Sequence, residues 1–191
     1  MVLIAHKFKS YRSHLAKQTN AIELINALMQ LNKSDSTVIN DLNVYIQTHP
    51  IDCCYGLVRV FENSANPPDP KRLEPINISF AIDECLRSFF HKNRAVAIEA
   101  IGLLKLYSYR SNVLANLDCS EYCPFAAEAL IRLDGKASIP RILDCYQNHF
   151  LTISETLTAF LQLEETDIRY LQEANSSIKI PPEFLRYLRT S

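Results

Sequence analysis

The chain has 191 residues, 48% of them hydrophobic, with 3 Gly, 9 Pro, 6 Cys and no Trp, and its 20 Lys+Arg nearly cancel its 21 Asp+Glu. This length and apolar share fit about one domain with a real core and exclude a disordered chain. So few glycines exclude a Gly-rich phosphate-binding fold and a turn-dense all-β protein.

A net charge of −1 offers no chain-wide attraction to nucleic acid or to an anionic membrane. No apolar run reaches the length of a membrane span, and nothing after Met1-Val2-Leu3-Ile4-Ala5 has the pattern of a secretory signal. Six unclustered cysteines fit a reducing, cytoplasmic setting. Charge is uneven along the chain. Residues 1–22 hold Lys7, Lys9, Arg12 and Lys17 and no acid, whereas residues 118–173 hold ten acids and four bases. Such runs are either solvated helix faces or an acidic face for a basic partner.

Helical periodicity runs almost throughout, and alternating strand patterns are missing. Asn20 with Glu23 reads as a capping box that opens a stripe of Ile22, Ile25, Leu28 and Met29. Ser36 caps the next predicted helix, striped by Ile39, Leu42, Tyr45 and Ile46. Pro50 suits a first helical turn, and Cys54, Leu57, Val58 and Phe61 mark the third helix. Pro67, Pro68, Pro70 and Pro75 cannot continue it, so a Pro-rich loop is expected over 64–76. Helix resumes near Asn77, with Phe80, Ile82, Cys85, Leu86, Phe89 and Phe90 as its apolar side. Asn93 is a candidate cap for a further helix through Tyr107. Later helices are expected over 111–117, 121–133, 138–149, 152–163 and 165–174, with Gly135 as a left-handed C-terminal residue and Thr152 or Ser154 as a cap. In the tail, 175–191, Pro181-Pro182 precedes a short amphipathic piece from Phe184 to Leu188, expected to cap the last helix pair.

Two segments match at an offset of 29 residues. Ala97-Ile98-Glu99-Ala100-Ile101 aligns with Ala126-Ala127-Glu128-Ala129-Leu130, Leu104 with Leu133, and Val113-Leu114 with Ile142-Leu143. A helix, a turn and a second helix thus recur in phase. The alanines allow close helix approach, and one such hairpin cannot bury its own apolar side, so hairpins stack. The run from Phe125 to Leu143 resembles a HEAT-like repeat, of the short variety seen in phycobilisome lyases. It has the Ala-Ala-Glu-Ala-Leu core, the Asp134-Gly135 turn and the Ile139-Pro140 opening of the second helix. The copy at 95–117 is weaker and lacks the glycine and the proline; pairs at 20–48, 50–90 and 152–174 match by length or hydrophobic phase alone. The resemblance implies one all-α domain over 1–191, an α-solenoid of about five antiparallel helix pairs in a right-handed superhelix. A non-repeating helical bundle is the alternative architecture.

No dinucleotide turn, Walker loop, nucleophile elbow or His-Glu-x-x-His pattern is present, which points away from an enzyme. Cys119, Cys123, Cys145 and His149 fall in two i,i+4 pairs at neighbouring hairpin ends, where they are either zinc ligands or core. Core is the expectation, so neither a metal nor another cofactor is assigned. Glu99 and Glu128 hold equivalent repeat positions, as a carboxylate pair or as contacts to the neighbouring turn. His6, His14, His49 and His91 are scattered, with no Ser or Cys and supporting acid nearby.

The resemblance implies a concave surface lined by the second helix of each pair. Its candidate partner-binding residues are Asp83, Arg87, Asn112, Asn116, Arg141, Asp144 and Asn148, with Asn40 and Asn43 further along. Tyr107, Tyr109, Arg110 and Tyr146 add the aromatic and Arg content favoured in interface anchors. The expected function is a non-catalytic module that binds another protein, with no membrane or nucleic-acid partner and a small molecule left open. The alternative is an enzyme or chaperone of the bilin-lyase type. The resemblance also takes in alkylpurine DNA glycosylases, which rely on an aromatic cleft including Trp and on a strongly basic surface; a chain with no Trp and a net charge of −1 fits that reading poorly, and nucleic-acid binding through residues 1–22 alone would be weak and salt-sensitive.

Overall fold

A computed structural model describes Ile25, residues 36–62 and 69–163, Asp167 and Phe184. All described elements are helical, and no strand occurs among the described residues. The chain gathers into two compact units, Met1–Ala100 and Ile101–Ser191. The helices predicted over 20–31 and 165–174 lie outside the described residues, apart from the buried Ile25 and from Asp167.

In the first unit, α1 spans Ser36–Thr48, α2 Pro50–Glu62 and α3 Ile78–Arg87. Helix α4, His91–Leu103, begins here and crosses into the second unit. The break between α1 and α2 is built by its own side chains. The Thr48 hydroxyl donates to the Val44 and Tyr45 carbonyls, and the His49 ring stacks on Tyr45 at 4.7 Å. Helix α2 packs on α3, and α1 packs on both. Their apolar stripes meet in a core of Leu42, Ile46, Leu57, Phe61 and Ile82, joined by the fully buried Cys54 and Cys85.

The described part of the Pro-rich segment is pinned to this unit. Asp69 Oδ1 accepts from the Lys71 amide at 3.0 Å and opens a 3-10 turn, Pro70–Leu73. Leu73 and Ile76 are buried. Asn43 holds the far end, donating from Nδ2 to the Pro75 carbonyl and accepting at Oδ1 from the Asn77 amide. A side chain considered for partner contact is therefore a structural staple.

The sequence reading and the structure part company at the end of α3. The predicted helix should run through Phe89 and Phe90 as part of its apolar side. It stops at Arg87 instead, Ser88 is extended, and Phe89 and Phe90 are 99% and 74% exposed. Asn93 is no N-cap either. It lies inside the first turn of α4, and its Nδ2 donates to Ser88 Oγ at 2.8 Å.

The second unit holds the end of α4, then α5 (Arg110–Asn116), α6 (Cys123–Asp134), α7 (Ile139–Gln147) and α8 (Ile153–Phe160). Helix α6 is flanked by α5, α7 and α8. Its alanines serve the expected purpose: Ala126, Ala127 and Ala129 are wholly buried. The end of α4 lies so close that a Cβ on Gly102 would stand 2.6 Å from Ala129 Cα. Gly135 ends α6 at φ +56 and starts a 3-10 turn, Gly135–Ser138, into α7, where Pro140 sits in the first turn. The weaker copy, without that glycine, turns at Lys105 with φ 51. Thr152 and Glu155 form a reciprocal capping box at the start of α8. Of the tail, Phe184 is described. It is fully buried, edge-on to Tyr146 at 5.0 Å and to Phe160 at 5.9 Å.

Candidate functional site

Helix α7 separates its two sides cleanly. Ile139, Ile142, Leu143 and Cys145 are buried, and Arg141, Asp144 and Asn148 are exposed. Their i, i+3, i+7 spacing puts these three polar residues in one row. The row is anchored at its start, because Arg141 Nη2 meets Asp118 Oδ1 at 2.6 Å. Cys145 Sγ lies 3.8 Å from the Leu117 carbonyl. Both contacts fix α7 against the chain just beyond α5, where Asn112 is exposed and Asn116 half-buried.

The structure thus brings Asn112, Asn116, Arg141, Asp144 and Asn148 into one unit, on two helices tied at residues 117–118. Two of the five turn a donor inward. Asn116 Nδ2 bonds the Asn112 carbonyl at 2.7 Å, and Asn148 Nδ2 bonds the Asp144 carbonyl at 2.9 Å. Asp83 and Arg87 belong to α3 in the first unit. Arg87 pairs with Glu84 at 3.1 Å, and Asp83 is half-buried.

Beneath the row, Cys123 and Cys145 share a hydrogen bond between α6 and α7. That bond and burial push the Cys123 thiol up, while the same bond and the Arg141 guanidinium hold Cys145 down. The other two members of the cysteine–histidine set do not complete a tetrad. Cys119 is half-buried in the turn before α6, and His149 is exposed at φ 62. Among the described residues, no group of three or more His, Cys, Asp or Glu is placed to hold a metal ion. All six cysteines are free thiols. In the first unit Cys54 shares a hydrogen bond with Cys85, which together with burial pushes its thiol up. Burial, then the Asp52 charge, raises Cys53 to about 12.

Other candidates have structural partners. Glu128 meets Arg132 of the next turn at 3.4 Å, and Arg132 also donates to Gln162 at 3.1 Å. Glu128 is thus in contact with the neighbouring turn of its own helix. Arg110, a candidate anchor, grips both oxygens of Asp134 from Nε, at 3.0 and 2.8 Å, with Nη2 at 2.7 Å. The Asp134 hydrogen bond and charge raise its guanidinium further. This clamp ties the start of α5 to the end of α6. The sequence signal for it was Asp134 at the repeat's turn, but nothing local pointed from there to Arg110. Tyr107 is 59% exposed. His49 holds Thr48 Oγ at 2.8 Å. His6 and His14 lie outside the described residues. Among the described residues, no helix is long and apolar enough to cross a membrane. No protein-family model, curated protein or solved structure matches the chain.

Proposed function

We propose that the chain is a non-catalytic module that binds another protein through the polar faces of HEAT-like helix pairs, arranged as an α-solenoid. The observation that carries this reading is the α7 row. Arg141, Asp144 and Asn148 stand exposed on one side of a helix whose other side is dry core. A rigid helix with a segregated polar face presents fixed charges over an extended surface. Such a surface suits a peptide, helix or domain better than a small substrate. Asn112 and Asn116 on α5 of the same unit, and Asp83 and Arg87 on α3 of the first unit, are the further candidates for that binding. The repeat itself is supported by three local features of 125–143: buried alanines on α6, the left-handed Gly135, and Pro140 opening α7.

Affinity purification of the tagged chain from its native cells, beside an Arg141→Glu/Asp144→Lys variant, tests the proposal. The expected result is a stoichiometric protein recovered with the parent chain and recovered in lower yield, with a changed salt dependence, by the variant. A parent chain that brings down no stoichiometric partner refutes it. Appearance of a visible absorption band on incubation with free bilin would instead favour a lyase.

A further inference from the structure

We infer that the α3–α4 turn of the first unit is a docking knuckle for an anionic lipid surface, with Phe89 and Phe90 entering the interface and basic residues meeting the headgroups. The inference stands apart from the α7 row and does not depend on it.

The two rings are the starting point. Phe89 is 99% exposed and Phe90 is 74% exposed. A lone exposed apolar residue is ordinary, but two adjacent phenylalanines at these exposures put roughly 300–400 Å² of apolar surface into solvent at one turn. Such a patch costs solubility unless something covers it.

The turn that carries the rings is built rather than slack. Ser88 Oγ accepts from the Phe90 amide at 3.2 Å and from Asn93 Nδ2 at 2.8 Å. Arg94 Nε closes the end of α3 by donating to the Leu86 carbonyl at 3.1 Å. The first bond lies within the turn, the other two tie α4 to the end of α3, and together they fix the backbone from which both rings project.

Charge supplies the choice of occupant. Residues 87–94 hold Arg87, Lys92 and Arg94 and no acid. The first turn of α4 has no acidic residue, although the positive end of a helix dipole favours acids there. Lys92 and Arg94 oppose that preference, so the dipole and the side chains add to one positive field around two apolar rings. Glu84 offsets part of it through its pair with Arg87. Apolar rings within a basic rim are what an anionic bilayer interface binds. A fluid interface also accepts two adjacent rings without a preformed pocket, which a protein partner would have to supply. The expectation of no membrane contact rested on net charge and span length, and neither is sensitive to an eight-residue turn.

The test is co-sedimentation of the full chain with large unilamellar vesicles of phosphatidylcholine, alone or with about 30 mol% phosphatidylserine. The expected result is partition onto the phosphatidylserine vesicles that weakens with salt and with Lys92→Glu. A Phe89→Ser/Phe90→Ser variant should lose about tenfold or more of that partition. Its thermal unfolding should match the parent, since both rings are solvent-exposed. A parent chain that stays in the supernatant overturns the inference. So does a double variant that binds as well as the parent, which would assign binding to the basic residues 1–22. Specific capture of an acidic peptide by the Phe pair, without vesicle binding, would give the knuckle to a protein and equally overturn the lipid assignment.

Discussion

Gly102→Ala is the sharpest test of the packing in the second unit, because two effects of known sign oppose each other. In an open helix interior, replacing Gly by Ala stabilises by about 1 kcal/mol through propensity alone. Here the new Cβ would stand 2.6 Å from Ala129 Cα and 2.8 Å from Ala129 Cβ. The first of these atoms is backbone and cannot rotate away, so α4 and α6 must separate. Overpacking of this kind costs about 1–3 kcal/mol, and with a clash this deep on a wholly buried alanine the upper half applies. The net expectation is destabilisation by about 1–2 kcal/mol, a fall in Tm of roughly 2–8 °C for a chain of this size. Urea unfolding followed by far-UV circular dichroism measures it. Adding Ala129→Gly removes the clash with the methyl group but leaves the clash with the backbone, so rescue should be partial. A Gly102→Ala variant more stable than the parent would mean that the two helices do not approach here, and the close packing of α4 on α6 would be wrong.

Other expectations follow from single positions. Gly135→Ala should cost about 1–3 kcal/mol in urea unfolding, because φ +56 with ψ −138 suits glycine alone and the new Cβ would meet Asp167 Oδ2 at 2.8 Å. Lys105→Gly should act oppositely, stabilising by about 0.5–1 kcal/mol by relieving φ 51 in the copy that lacks the turn glycine; an unchanged midpoint would argue against a left-handed Lys105. Thr152→Ala should cost about 1 kcal/mol, with Thr152→Ser close to the parent, since the capping box needs only the hydroxyl. Stability should also fall at alkaline pH. Burial, then the charge of Asp52, holds Tyr45 and Cys53 protonated up to about 12, against 10.0 and 9.0 in the unfolded chain. Between those limits the unfolded state carries fewer protons, so the contribution is complete below pH 9 and lost as pH rises toward 12. Urea midpoints from about pH 9 upward should decline, and less steeply in Cys53→Ala; equal slopes would contradict the assignment.

The legible parts of this fold are those written in local chemistry. Pro50 and Pro140 open helices, Gly135 closes one and Thr152 caps one, and each acts within its own few residues. The alanines of 125–143 were legible because the match at an offset of 29 residues shows the pattern twice. Phe89 and Phe90 were misread because periodicity records which side of a helix a residue would take, not where the helix stops. That stop depends on Ser88, Asn93 and Arg94 acting together across two helices. Asn43 and Arg110 looked like surface residues for a related reason. Their partners lie 32–34 and 24 residues away, beyond the reach of any spacing rule. The candidate binding row was visible as polar positions on α7, but its anchoring by Asp118 was not.

That anchoring limits what the row can do in the proposed binding. Exposed ion pairs contribute about 0–1 kcal/mol each, and Arg141 already has its partner in Asp118. Asn116 and Asn148 direct a donor to their own helices. A partner must therefore displace these bonds or use only their remaining acceptors, and neither gives a large net gain. The row then sets register and association rate, in the manner of charged interface rims. On the proposed reading, affinity comes from outside the row, and not from Tyr146, which lies on the opposite, core-facing side of α7, half-buried against Phe184. On that reading, charge reversal at Arg141 should change the salt dependence of association more than the dissociation rate.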